Sequence, residues 1–156
     1  MILTILSVGK TSEPYLEEGF RYYSKKIQRF APLEILIVPE EKTSAKGRIE
    51  WIRKKEESRI RERIPTGSWI VGLDERGKAL ASRGLAALLE RRMESGCKRV
   101  VFIIGGPYGL SEGFRRDVHF LLSLSSMTLT HGMAKLFLLE QIYRAFTLLR
   151  GEPYHK

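Results

Sequence analysis

Strand-like and helix-like segments alternate along this chain, and the alternation restricts the fold more than any other feature. Apolar runs typical of buried strands lie at Ile2–Val8, Leu33–Val38, Trp69–Leu73, Arg99–Ile104 and Phe120–Leu124. Helical periodicity fills Glu13–Phe30, Ala45–Ile64, Ser82–Met93, Glu112–Val118 and Met133–Leu149. Because parallel strands need a crossover between them, the pattern predicts an α/β fold with a mostly parallel sheet and helices on both faces.

The length of the chain predicts a single domain, residues 1–156. No internal repeat or Pro/Ser-rich linker divides it. Hydrophobic residues make up 43% of the chain and charged residues 29%, a balance that excludes a disordered protein. Four serines lie where helix N-caps are expected, at Ser12, Ser44, Ser82 and Ser111.

Several classes of protein are excluded by what the sequence lacks. No apolar run approaches the roughly 20 residues that span a bilayer, and the amino terminus lacks the features of a signal peptide, so we expect a cytoplasmic protein. A single cysteine, Cys97, excludes an internal disulfide and a zinc site of paired cysteines. The histidines His119, His131 and His155 do not show metal-ligand spacing, so we expect no metal.

Positive charge is concentrated in one segment. The formal net charge is +9, and between Lys42 and Arg63 nine Lys or Arg stand against four Glu, a local balance of +5. This balance is typical of a surface that binds nucleic acid. It is equally typical of a solvated helix whose charges pair one turn apart, as Arg53 and Glu57 would. The segment alone leaves both interpretations open.

Two loops in the last third of the chain are rich in small residues. Gly105–Gly109 follows the fourth strand and Leu124–Gly132 follows the fifth. The carboxyl ends of parallel strands share the edge of the sheet where ligands usually bind. Neither loop has the GxGxxG or GxxxxGK[ST] spacing of phosphate-binding loops, so we expect a neutral nucleoside read by backbone groups. Tight turns would explain the same residues equally well.

The last helix predicts an assembly. It is apolar on more than one face, through Leu136, Phe137, Leu138, Leu139, Ile142, Tyr143, Phe146, Leu148 and Leu149. A helix that is apolar nearly all round is either wholly internal or shared with another subunit. In so small a domain this favours a homodimer with twofold symmetry.

Six ordered motifs together resemble the RlmH family of small SPOUT methyltransferases: Ser7–Lys10, Leu73–Gly77, Ile104–Ser111, Leu124–His131, Glu140–Ala145 and Pro153–Lys156. The resemblance implies S-adenosylmethionine-dependent methylation of N3 of a pseudouridine in 23S ribosomal RNA, on the large subunit or the assembled ribosome. It also implies a homodimer and a C-terminal trefoil knot, which periodicity and spacing do not reveal. Tyr108 and Gly132 stand where the family has other residues.

The same resemblance assigns residues to the site. The cofactor pocket would use Leu73, Gly105 and the consecutive residues Leu124, Ser125, Ser126, Met127, Thr128 and Leu129. The catalytic residues near the target nucleotide would be His131, Arg144, Tyr154 and His155. Lys156 stands where a basic terminal residue is common in the family.

Methyl transfer to a ring nitrogen requires an aligned donor, a dry site and loss of the nitrogen's proton. His131 and His155 are both candidates for the base, because imidazole titrates near neutrality. Arg144 would stabilise the forming anion or hold a phosphate, and Tyr154 would stack on the exposed base. Each side chain also has a structural alternative, such as pairing of Arg144 with Glu140 one helical turn away.

Two other functions remain open from the sequence. A noncatalytic, ribosome-associated RNA-binding module would explain the charge but predicts no cofactor binding. A SPOUT methyltransferase acting on transfer RNA predicts cofactor binding with a different acceptor. The sequence does not distinguish which histidine is the base.

Overall fold

The computed structural model describes residues 1–42 and 48–154 of the chain. In chain order the elements are β1 (Ile2–Val8), α1 (Pro14–Ile27), β2 (Leu33–Val38), α2 (Ile49–Arg63), β3 (Trp69–Ala79), α3 (Ser82–Glu94), β4 (Arg99–Ile104), α4 (Glu112–Asp117), β5 (Phe120–Ser123) and α5 (His131–Leu149). Each strand is followed by a helix, as the sequence predicts.

The five strands form one parallel sheet in the order β2-β1-β4-β3-β5. Alternate residues of each inner strand point to opposite faces. Leu3 and Ile5 of β1 belong to the core shared with α1, α3 and α5, whereas Leu6 and Val8 belong to the core shared with α2 and α4. The predicted α/β fold with helices on both faces is therefore confirmed. The trefoil knot stays a prediction.

β3 is longer than predicted: it continues beyond Leu73 and ends at Ala79. Its ladder with β5 pairs Leu73 with Leu122, leaves a bulge, and resumes with Lys78 opposite the same Leu122. Where β3 pairs with β5 again after the bulge, the backbones of these two strands lie unusually close together. A Cβ on Gly77 would lie 2.7 Å from the carbonyl carbons of Leu121 and Leu122. Glycine is required there because any side chain would meet backbone.

One of the four predicted N-caps is confirmed. The hydroxyl oxygen of Ser111 accepts the backbone N–H of Phe114, at 3.0 Å. The predictions for Ser12 and Ser82 are each wrong by one residue. The N-cap of α1 is Glu13, and the N-cap of α3 is Ala81. Ser44, with the predicted start of α2 at Ala45, lies outside the described residues.

α5 begins at His131 rather than at the predicted Met133. The hydroxyl oxygen of Thr130 caps it by accepting the backbone N–H of Met133. Leu139 is fully buried in the core of its own chain, whereas Met133 and Phe137 are 39% and 38% exposed. Part of the apolar surface of α5 therefore faces outward. None of the helices described is long and apolar enough to cross a membrane.

The close approach of the two backbones at Gly77 predicts that alanine destabilises the fold at this position but not at a glycine with more space around it. Gly77→Ala should lower the free energy of unfolding by about 1–3 kcal/mol, because the backbone of β5 cannot give way. Gly84→Ala in α3 is the matched control, since its methyl group would make ordinary contact, 3.5 Å from Leu80 Cβ. It should be neutral or stabilise by up to about 1 kcal/mol. Urea unfolding measures both, and equal stability of the two variants would contradict the close approach.

Candidate active site

A cleft of about 590 Å³ opens at the carboxyl edge of the sheet, where β4 and β5 end on either side of the bulge in β3. Its volume lies within the roughly 300–1,000 Å³ that small-molecule sites usually have. Both small-residue loops line it, the first after β4 and the second after β5. The predicted position of the binding site, at the carboxyl ends of the strands, is therefore where the structure has its cleft.

Most of the residues predicted to bind the cofactor line this cleft. They are Leu73, Gly105, Leu124, Ser125, Met127, Thr128 and Leu129. Ser126 is not among the lining residues. The second loop is shaped by its own side chains, since the Ser125 hydroxyl accepts the backbone N–H of Met127 at 2.9 Å.

The first loop turns back onto its own beginning. A Cβ on Gly105 would lie 2.9 Å from the carbonyl carbon of Gly109 and 3.1 Å from the backbone nitrogen of Leu110. Gly109 itself has φ of +74°, which favours glycine. The turn therefore requires Gly105 and Gly109, and because they have no side chains, the loop presents its backbone to the cleft.

A buried ion pair forms part of the cleft wall, and the sequence analysis did not find it. Asp74 Oδ2 accepts from Arg115 Nε at 2.6 Å, and the two side chains are only 6% and 8% exposed. Glu112 Oε1 accepts from Arg115 Nη1 at 2.7 Å and from Arg76 Nη1 at 2.8 Å, which extends the pair into a small network. The signal in the sequence is the run of charged residues directly after the apolar part of β3, in the bulge.

α2 contacts the first loop through Arg53, whose Nε donates to the carbonyl oxygen of Tyr108 at 2.8 Å. Both residues line the cleft. The predicted pairing of Arg53 with Glu57 is wrong. Arg53 pairs with Glu50 at 2.5 Å and Glu57 with Arg61 at 2.7 Å. Much of the arginine charge of this basic segment is therefore used within the chain.

His131 lies at the start of α5 and lines the cleft. Its Nε2 is buried and makes no hydrogen bond within the part of the chain that the structure describes. Burial, and then the positive charge of Lys135, lower the pKa of His131. Both effects favour the neutral form of the imidazole.

Lys135 was not singled out from the sequence, yet it is only 3% exposed. Its Nζ lies 4.5 Å from the centroid of the Phe20 ring. Burial lowers its own pKa. Gly132 allows this end of α5 to approach α1, because a Cβ there would lie 2.5 Å from Leu16 Cδ1.

Arg144 and Tyr154 form a second cluster at the other end of α5. Arg144 pairs with Glu140 at 2.5 Å, as its structural alternative predicts, and its guanidinium lies 4.7 Å from the centroid of the Tyr154 ring. The Tyr154 hydroxyl donates to Glu140 at 3.1 Å. Burial, and then the hydrogen bond with Tyr23, raise the pKa of Tyr154, so it stays a phenol.

The two groups of predicted catalytic residues are not brought together within one chain. His131 and Arg144 are both in α5, and a rise of 1.5 Å per residue separates them by about 20 Å along the helix axis. His155 and Lys156 lie outside the described residues.

The parallel sheet with its helices agrees with the comparison to known proteins. Residues 1–155 match the family described as "Predicted SPOUT methyltransferase". The chain belongs to the SPOUT methyltransferase family. A probable methyltransferase from Bordetella pertussis Tohama I shares the fold, with a TM-score of 0.55 over 92% of this chain and 95% of that one, at 14% identity.

Two relatives that are similar over the whole chain identify the branch of this family to which the chain belongs. The ribosomal RNA large subunit methyltransferase H of Syntrophotalea carbinolica is 48% identical over 155 residues, covering 99% of both chains. The protein of the same name from Geobacter sp. strain M21 is 46% identical, with the same coverage. The resemblance to the RlmH family is confirmed.

The environment of His131 predicts a measurable titration. Lys135→Met removes the neighbouring positive charge while keeping the side chain long and apolar, so the pKa of His131 should rise. Titration of the His131 ring followed by NMR measures it. Lys98→Met, at the exposed amino edge of the sheet, is the control and should leave the titration unchanged. An identical titration in the wild type and in Lys135→Met would show that this charge does not act on His131.

Proposed function

We propose that this protein transfers a methyl group from S-adenosylmethionine to N3 of a pseudouridine in 23S ribosomal RNA, on the large subunit or the assembled ribosome, in the cytoplasm. The observation that carries the proposal is the cleft of uncharged glycine- and serine-rich loops at the carboxyl edge of the sheet. It occurs in a chain that is similar from end to end to ribosomal RNA large subunit methyltransferases H. The whole chain acts as one domain.

The cleft suits a nucleoside cofactor. Gly105 and the residues Leu124–Leu129 offer small side chains, so the backbone of the loops can approach the ligand closely. The pair Asp74–Arg115 supplies a fixed, mutually neutralised polar wall. S-adenosylmethionine would supply the activated methyl group, and the loops would align it and exclude water.

The acceptor nitrogen must lose its proton as it attacks. We assign this proton to His131, which lines the cleft and whose lowered pKa favours the neutral ring that a base requires. Arg144 would stabilise the negative charge that develops on the acceptor ring, and Tyr154 would stack on or orient the base. His155 remains the alternative base.

The separation within α5 supports a homodimer. His131 and Arg144 lie about 20 Å apart in one chain, too far to act on the same base. A second copy placed across α5 in the opposite direction would bring its Arg144 and Tyr154 to the cleft that contains His131. Outward-facing Met133 and Phe137 supply apolar surface for such a contact.

The function is tested by transfer of labelled methyl groups from S-adenosylmethionine. Assembled ribosomes, isolated 23S RNA and transfer RNA are compared as acceptors, and we expect label at a pseudouridine of 23S RNA. Gly105→Val should abolish cofactor binding in calorimetry, because its side chain would meet the backbone at Gly109. Cofactor binding without any methyl transfer would contradict the proposal, and label confined to transfer RNA would favour the rival acceptor.

Complementation tests whether two chains share each site. His131→Ala and Arg144→Ala homodimers should both be nearly inactive. Random mixing of the two makes half of the dimers mixed, each with one intact site, so about a quarter of wild-type activity should return. Phe137→Glu should give monomers in sedimentation that still bind cofactor but do not methylate. Failure of stable mixed dimers to regain activity would contradict a shared site.

A further inference from the structure

α2 supports the first loop of the cleft at three points along one of its faces. Arg53 holds the carbonyl oxygen of Tyr108, and Glu57 accepts a hydrogen bond from the hydroxyl of Ser111, where the loop enters α4. Between them, Glu56 projects beneath Gly106. α2, which packs on the face of the sheet opposite α5, therefore helps to position the loop, although the proposed reaction gives this helix no role.

Glu56 is the unusual member of this group, because it is a carboxylic acid that is only 2% exposed. Its Oε1 accepts the backbone N–H of Glu41 at 3.0 Å. Its Oε2 is buried and has no hydrogen-bond partner among residues 1–42 and 48–154. A Cβ on Gly106 would lie 2.6 Å from this oxygen, so the carboxyl group is in direct contact with the backbone of the loop.

We propose that Glu56 is a positioning residue of the cofactor cleft, whose carboxyl group supports Gly106 from below and fixes the position of the Gly105–Gly109 backbone. The inference rests on the proposed binding of S-adenosylmethionine to this cleft. It adds a residue to the site that touches neither the cofactor nor the RNA. Glu56 acts through Gly106.

The surroundings of Glu56 favour its neutral form. Burial is the main cause that raises the pKa of Glu56, and the negative charges of Glu40 and Glu41 raise it further. The N–H of Glu41 and the positive charge of Arg59 oppose this effect. A buried carboxylate without a partner is costly, and for this reason burial raises the pKa. A glutamine has the same size and carries no charge.

The affinity for S-adenosylmethionine, measured by calorimetry, tests the proposal. Glu56→Ala removes the support and should raise Kd about tenfold, whereas Glu56→Gln should stay within about twofold of the wild type. Leu88→Ala, in the core on the opposite face of the sheet, controls for loss of stability and should leave Kd unchanged. If Glu56→Ala does not fold, Glu56→Asp withdraws the carboxyl group from Gly106 and should weaken binding in the same way.

A double-mutant cycle with Gly106 tests the contact itself. Gly106→Ala places a methyl group against the carboxyl oxygen and should weaken cofactor binding. In the variant that combines Glu56→Ala with Gly106→Ala, the methyl group has room, so the loss should be smaller than the product of the two single losses. Multiplicative losses, unchanged affinity in Glu56→Ala or failure of Glu56→Gln to bind would each overturn the inference. Failure of the wild type to bind S-adenosylmethionine would instead overturn the proposed function.

Discussion

The parallel pairing of β3 with both β4 and β5 is the constraint on which the site depends. It places the carboxyl ends of β4 and β5 on either side of the bulge of β3, so that the loops after β4 and β5 and the bulge meet at one edge. Gly77 lets β3 resume this pairing with β5 after the bulge, because a side chain there would meet the backbone of β5. The same bulge brings Asp74 to Arg115 in the wall of the cleft. Sheet geometry and polar chemistry are therefore set by one irregularity in one strand.

Two helices on opposite faces of the sheet complete the site in different ways. α2 holds the first loop from outside through Arg53, Glu56 and Glu57, and contributes rigidity. α5 begins in the cleft with His131, ends near Tyr154, and carries two of the residues proposed for catalysis. The cleft is therefore lined by a single chain, whereas the proposed chemistry on RNA draws on two.

The strands could be predicted because inner strands of a parallel sheet are buried on both faces, so β4 is a nearly continuous apolar run, and the partly exposed edge strand β2 is still largely apolar. The extension of β3 could not, since Asp74–Gly77 resembles a polar turn and pairs only because β5 lies beside it. The two loops of the cleft could be predicted from their small residues after the fourth and fifth strands, whereas Leu73 and the choice of residues within the loops followed from the family resemblance. Glu56 was missed because a carboxylate within a basic helical segment looks like a solvated one, and only the packing of Gly106 against it shows that it is buried.

α5 is one unbroken helix, so its residue spacing determines the distance and the angle between His131 and Arg144. Insertion of one residue between His131 and Arg144 would turn everything beyond it by about 100° and move it by about 1.5 Å. The core contacts of Ile142 and Phe146 and the direction of Arg144 would be lost together. Changes of length in the sequence should therefore accumulate in connections remote from the cleft and be absent from this helix, because its residue spacing determines the core contacts and, in the proposed dimer, the position of Arg144 relative to the partner's cleft.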